Sequence, residues 1–153
     1  MTLARMPDIL TLTMNPALDI STAIDRVEPV HKLRCGPHQT HPGGGGINVA
    51  RVLHRLGSRV RAIYTAGGPL GRELSALLDA EGVPSQVVPI AGGTRESFSV
   101  FERCSGQDFR FVLPGPTLTE PEWTACLDAV VAGLAQARYV AVSGGLPPGG
   151  PAD

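Results

Sequence analysis

The sequence predicts an α/β protein, a layered core on a mostly parallel sheet with a second, small antiparallel sheet beside it. Three observations carry this. Short β-rich apolar runs at 9–14, 60–65 and 139–143 alternate with helical-period segments at 46–56, 70–81 and 120–137, the rhythm of strand–helix units. Half-polar, partly alternating runs at 17–24, 33–40 and 97–113 interrupt that rhythm and form the second sheet. Between the two kinds of segment lies His41-Pro42-Gly43-Gly44-Gly45-Gly46-Ile47-Asn48, a glycine tetrad running into a helix.

The elements follow in order. Ile9 to Met14 is a buried strand ended by Asn15-Pro16, and Ala17 to Ile24 is a more exposed strand. Leu33 to Thr40 is polar and extended. In the helix after the glycines, Val49, Val52, Leu53 and Leu56 fall on one side and Asn48, Arg51 and Arg55 on the other. Gly57 supplies its left-handed stop. Val60 to Thr65 is a core strand. Leu70, Leu74, Leu77 and Leu78 mark a helix ending at Glu81-Gly82, with Pro84 beyond, and Gln86 to Ile90 is a short strand. Ser105-Gly106-Gln107-Asp108 joins two strands as a hairpin whose Phe98, Val100, Phe109, Phe111 and Leu113 share a face. Thr119 to Glu122 spells a capping box for a helix with a Trp123, Leu127, Val130, Leu134 stripe. Tyr139 to Ser143 is a last core strand running into Gly144-Gly145-Leu146-Pro147-Pro148-Gly149.

Composition excludes several function classes. At 153 residues the chain fills one ordinary domain, and 42% hydrophobic with 18% charged residues is globular. A net charge of −1 gives no electrostatic footprint for nucleic acid or an anionic membrane. The apolar runs are too short to span a bilayer, and the N-terminus lacks a signal-peptide pattern. Cys35, Cys104 and Cys126, widely spaced, read as reduced thiols of a cytoplasmic protein rather than disulfides or a zinc site.

The glycine tetrad is where chemistry is expected. Glycines entering a helix start offer unpaired N–H groups and a positive dipole end, which suits an anion or an oxygen-rich ligand. Two nucleotide loops are excluded by spelling. No G-x-x-x-x-G-K-[ST] occurs, and the third glycine of a dinucleotide fingerprint falls on Asn48 or Val49.

A set of motifs resembles the N-terminal half of the phosphofructokinase B-type sugar kinases, within the ribokinase-like superfamily. They are Thr11-Leu-Thr-Met-Asn-Pro-Ala-Leu-Asp19, Lys32-Leu-Arg-Cys35, Pro42-Gly-Gly-Gly-Gly-Ile-Asn-Val-Ala-Arg51, Thr94-Arg95, Phe109-Arg-Phe-Val-Leu-Pro-Gly115 and Ser143-Gly-Gly-Leu-Pro-Pro-Gly149. GGGGIN preceded by KLRC is most similar to the fructose-6-phosphate kinases. The resemblance implies a ribokinase-like αβα core, incomplete here, with an antiparallel β lid built from about 17–40 and 97–113. Residues 1–153 are then the N-terminal part of one carbohydrate-kinase domain.

Residue roles follow from the resemblance alone. Asp19 matches the carboxylate that grips sugar hydroxyls, and Gly44, Gly45 and Asn48 match the loop that closes over the sugar. Arg95 matches the residue that holds the substrate phosphate. Lys32, with Arg34, adds positive charge toward a neighbouring subunit's site, and Ser143 matches a phosphate-side contact. The family's base, its G-A-G-D anion hole, and its ATP and Mg²⁺ residues are expected C-terminal to Asp153, so no catalytic residue and no metal ligand is expected in this chain. The implied reaction is ATP-dependent phosphorylation of fructose 6-phosphate by a cytoplasmic homodimer joined through the lid. Two alternatives stay open: 1-phosphofructokinase or tagatose-6-phosphate kinase chemistry, and a non-catalytic fragment that binds sugar phosphate or dimerises. A nicotinamide-binding domain is disfavoured by the failed fingerprint.

Overall fold

The computed structural model describes residues 7–150. Strand β1 (Ile9–Thr13) is the centre of the larger sheet, because its side chains are apolar or threonine on both faces and both faces are covered by helices. It pairs in parallel with β4 (Val60–Ala66) and β8 (Tyr139–Val142), and β4 pairs in parallel with β5 (Ser85–Pro89), giving the order β5-β4-β1-β8. Helices α1 (Gly45–Arg55) and α2 (Gly68–Ala80) cover one face through Ile47, Ala50, Leu74 and Leu78, all fully buried with Val60, Ala62 and Tyr64. Helix α3 (Glu120–Leu134) covers the other through Cys126, Ala129, Trp123 and Val130 against Leu10, Leu12 and Ile63. The layering is αβα, as expected.

The second sheet consists of β2 (Ala17–Ile24), β3 (Gln39–Gly43), β6 (Arg95–Glu102) and β7 (Asp108–Val112), in the order β3-β2-β6-β7. It corrects the expectation of an antiparallel lid. β3 with β2 and β6 with β7 are antiparallel, but β2 and β6 are parallel over eight residue pairs. Between β2 and β6 the chain passes through β3, α1, β4, α2 and β5, and such a long crossover permits parallel return where a hairpin does not. The hairpin at Gly106 forms as expected, with φ 71° there and Glu102 N donating to Gln107 O at 2.8 Å.

Four further expectations change. The strand placed at 33–40 begins only at Gln39, although Gly36 N still donates to Ala23 O at 2.9 Å. On α1 the buried line is Ile47, Ala50 and half-buried Leu53, while Val52 and Leu56 are exposed. On α3, Leu127 and Leu134 are exposed and Cys126 and Ala129 take the core. The "core" strand β8 is an edge, with Tyr139 65% and Val142 66% exposed. The last three changes have one feature in common: no element of 7–150 covers these apolar side chains of α1, α3 and β8. Gly57 takes φ 80° after α1, and Thr119 N donates to Glu122 Oε2 at 2.7 Å at the start of α3, both as the sequence implies.

Candidate sugar-phosphate site

Alternation along the second sheet sorts its side chains. Asp19 lies opposite His41 and Ser97, and Ser99 opposite Arg110, so Asp19, His41, Arg95, Ser97, Ser99 and Arg110 share one face. Phe98 and Phe111 are paired on the opposite face, their ring centroids 6.3 Å apart. From the polar face Arg95 reaches Asn15, just beyond the end of β1.

Asp19 is half-buried, and burial raises its carboxyl above the ordinary aspartate value of 3.8. Arg95, Arg110 and Arg51, with a hydrogen bond from Ser97, oppose that rise. The result is a carboxylate in a positive field, poor in water and able to accept directed hydrogen bonds from hydroxyls.

Arg95 is held by the chain rather than loose. Its Nε donates to Asn15 Oδ1 at 3.0 Å, Nη2 to Asn15 O at 3.2 Å and Nη1 to Leu113 O at 3.3 Å. Of five guanidinium N–H groups, three are used, leaving one on each terminal nitrogen for a ligand. Arg110 is exposed and makes no side-chain hydrogen bond or ion pair among the described residues.

Part of the glycine tetrad's helix-start donor set is used within the fold. Gly46 N donates to Ser143 O at 3.0 Å and Ile47 N to Thr13 Oγ1 at 2.9 Å, so two of the helix-start N–H groups are already spent. What the glycines provide is close approach. A Cβ on Gly43 would collide with the Asp19 carboxylate, and Gly44 takes φ 119° over Thr13 and Pro16. The first turn of α1 thereby sits against Asp19 on one side and Ser143 on the other. Asn48 is exposed in that turn.

The structure thus brings Gly43 against Asp19 and Gly45 against Ser143, and strand register puts Arg95 on the face of Asp19, while Gly44 and Asn48 lie at the start of α1. Lys32 stands apart, in the exposed segment 28–39, and makes no hydrogen bond or ion pair with the cluster among the described residues. Arg110, Ser97 and Asn15 are the residues that sequence reasoning missed. The signal for Arg110 was present, since alternation in Phe109-Arg110-Phe111 turns the arginine away from the phenylalanine face. Among the described residues no three His, Cys, Asp or Glu side chains form a metal-ligating group, and no helix is long and apolar enough to cross a membrane.

The pfkB family carbohydrate kinase model matches residues 12–153. The chain belongs to that family. Among relatives, ATP-dependent 6-phosphofructokinase isozyme 2 of Mycobacterium tuberculosis is 54% identical over 96% of this chain and 43% of its own length. The protein of that name from Escherichia coli is 42% identical over 94% of this chain and 46% of its own length. A crystal structure of Escherichia coli phosphofructokinase-2 in complex with fructose-6-phosphate superposes with a TM-score of 0.90 at 41% identity, covering 95% of this chain and 48% of that one. The pfkB chain described here therefore spans less than half the length of these relatives.

Proposed function

We propose that this chain is the sugar-phosphate-binding part of an ATP-dependent 6-phosphofructokinase, which transfers a phosphoryl group from ATP to fructose 6-phosphate. The observation that carries the reading is the shared face of Asp19, Arg95 and Arg110, one desolvated carboxylate beside two guanidinium groups. A carboxylate accepting from a diol and guanidinium forks around a phosphate are the complement of a sugar phosphate's two ends. Asn48 and the Gly44–Gly45 backbone border the sugar, and Ser143 borders the side from which the phosphoryl group arrives. ATP with Mg²⁺ supplies that group and the cation that offsets its charge, held by residues outside this chain. What this chain does is bind, orient and cover the sugar phosphate, which is the positioning share of phosphoryl transfer.

The lid's apolar face supports a homodimer. Phe111 is 54% exposed and lies beside Phe98 with the rings tilted, and a contiguous aromatic patch favours a covered state. The patch is narrower than the sequence suggested, because Val100 is buried and Phe98 and Phe109 are half-buried within the protomer. Lys32, in the exposed segment near this sheet, reaches the partner's site in that assembly. Free Cys35 and Cys104 on the surface suit the reducing cytoplasm.

The test is coupled-assay kinetics on the intact protein. Release of ADP that requires fructose 6-phosphate is expected. Arg95→Ala should raise the KM for the sugar phosphate, by about 10- to 100-fold, the equivalent of about 1.5–3 kcal/mol for a hydrogen bond to a charged group. ADP release independent of the sugar phosphate, or unaltered KM in that variant, overturns the assignment.

A further inference from the structure

Arg51 lies on α1 one turn beyond Asn48, in a setting the substrate reading leaves unused. Its side chain is 14% exposed and forks onto Glu81 at the C-terminal end of α2, with Nε–Oε1 and Nε–Oε2 distances of 3.0 and 2.9 Å and Nη2–Oε1 of 2.6 Å. Arg55 Nη2 reaches the same carboxylate at 3.1 Å. The remaining nitrogen of Arg51, Nη1, points the other way. It donates to the Pro42 carbonyl at 3.1 Å and lies 3.5 Å from Asn48 Oδ1.

Those two acceptors bracket the glycine loop. Pro42 precedes Gly43, whose backbone sits too close to Asp19 for any side chain. Asn48 closes the first turn after the loop. A guanidinium between them fixes the separation of loop entry and helix start, and its positive charge selects the oxygen of the Asn48 amide. That turns the amide NH₂ away from α2. A lysine cannot do this, since one ammonium does not span a carboxylate and two carbonyl oxygens in opposite directions.

We propose that Arg51 is a positioning residue for the sugar end of the site, braced by Glu81 and acting through Pro42 and Asn48 on the geometry of the Gly43–Asn48 turn. Arg51 does not touch the sugar. The proposal rests on the sugar-phosphate reading above and adds to it a specific support for the donors that border the ligand.

The test uses the intact protein, fructose 6-phosphate and four variants: Arg51→Lys, Glu81→Gln, Asn48→Ala and the Arg51→Lys/Asn48→Ala double variant. Arg51→Lys should raise the KM for fructose 6-phosphate about tenfold with kcat within about twofold and the KM for ATP unmoved. Glu81→Gln, far from the ligand and milder for folding, should move the same constant the same way by a smaller factor. In the Asn48→Ala background the effect of Arg51→Lys should shrink to about threefold or less, because the part that passes through Asn48 is already lost and only the Pro42 contact remains. A fall in melting temperature with unaltered KM in both single variants means Arg51 only ties two helices, and overturns the proposal. So does an equal KM increase with and without Asn48. Wild-type protein that gives no turnover with fructose 6-phosphate overturns the functional reading itself, and this proposal with it.

Discussion

Asp19 shows how a single residue trades stability for binding. Its carboxyl is raised by burial, so the charged form costs folding free energy that is absent below 3.8 and complete above the raised folded-state value. Asp19→Asn removes that cost. The variant should unfold at a higher temperature than wild type at neutral pH, with the advantage vanishing below pH 3.8, while turnover with fructose 6-phosphate falls. Thermal unfolding followed across pH checks the first half, and steady-state kinetics the second. A neutral variant no more stable than wild type would mean that the three arginines fully offset the burial. Thr11 is a second residue out of balance. Its hydroxyl is fully buried in β1 with no hydrogen-bond partner among the described residues, and Thr11→Val should stabilise the protein by about 1 kcal/mol in urea unfolding.

At the scale of elements, α1 joins the two sheets, and its cross-links set how the site holds together. Glu81 is held below the ordinary glutamate value of 4.5 chiefly by its hydrogen bond from Arg51. The stabilisation is therefore fully present above 4.5 and is lost as pH falls through the lower folded-state value. Glu81→Gln should lower stability at pH 7 by about 1 kcal/mol, for an ion pair that keeps some solvent exposure, and match wild type in strong acid. Denaturant unfolding at both pH values decides it. Gly43→Ala should do more harm, since its methyl group would push Asp19 away from its neighbours; a loss of sugar-phosphate affinity in titration is expected.

Much at this scale was legible in the sequence. The β-rich runs, the Gly57 stop, the Thr119–Glu122 cap and the Gly106 hairpin are local signals, and local signals survive folding. The parallel pairing of β2 with β6 was not legible, because no residue in either strand encodes which distant strand lies beside it. The faces of α1 and α3 misled for a related reason. Apolar Val52, Leu56, Leu127 and Leu134 satisfy a helical period, but which of two apolar lines meets the sheet depends on where the strands stand. In the site, Asp19, Arg95, Ser143 and the glycines came from motif resemblance. Arg110 and the Arg51–Glu81 brace needed strand register and helix contacts.

For the molecule as a whole, β8 is an edge strand, and Val52 and Leu56 of α1 and Val131 and Leu134 of α3 are exposed. An exposed apolar edge strand is a template for another strand. Residues 1–153 made alone should aggregate or unfold without a sharp transition, because net domain stabilities of about 5–15 kcal/mol leave little to lose. A cooperative thermal transition of that fragment would contradict this. If the proposed dimer forms through the Phe98–Phe111 face, sedimentation should show it and a Phe111→Ser variant should be more dissociated. The central claim is that one lid face holds both ends of a sugar phosphate, and isothermal titration of fructose 6-phosphate into the intact protein tests it most directly. Wild type should bind, and Asp19→Asn and Arg95→Ala should each weaken binding by about tenfold or more; undiminished affinity in both variants would contradict it.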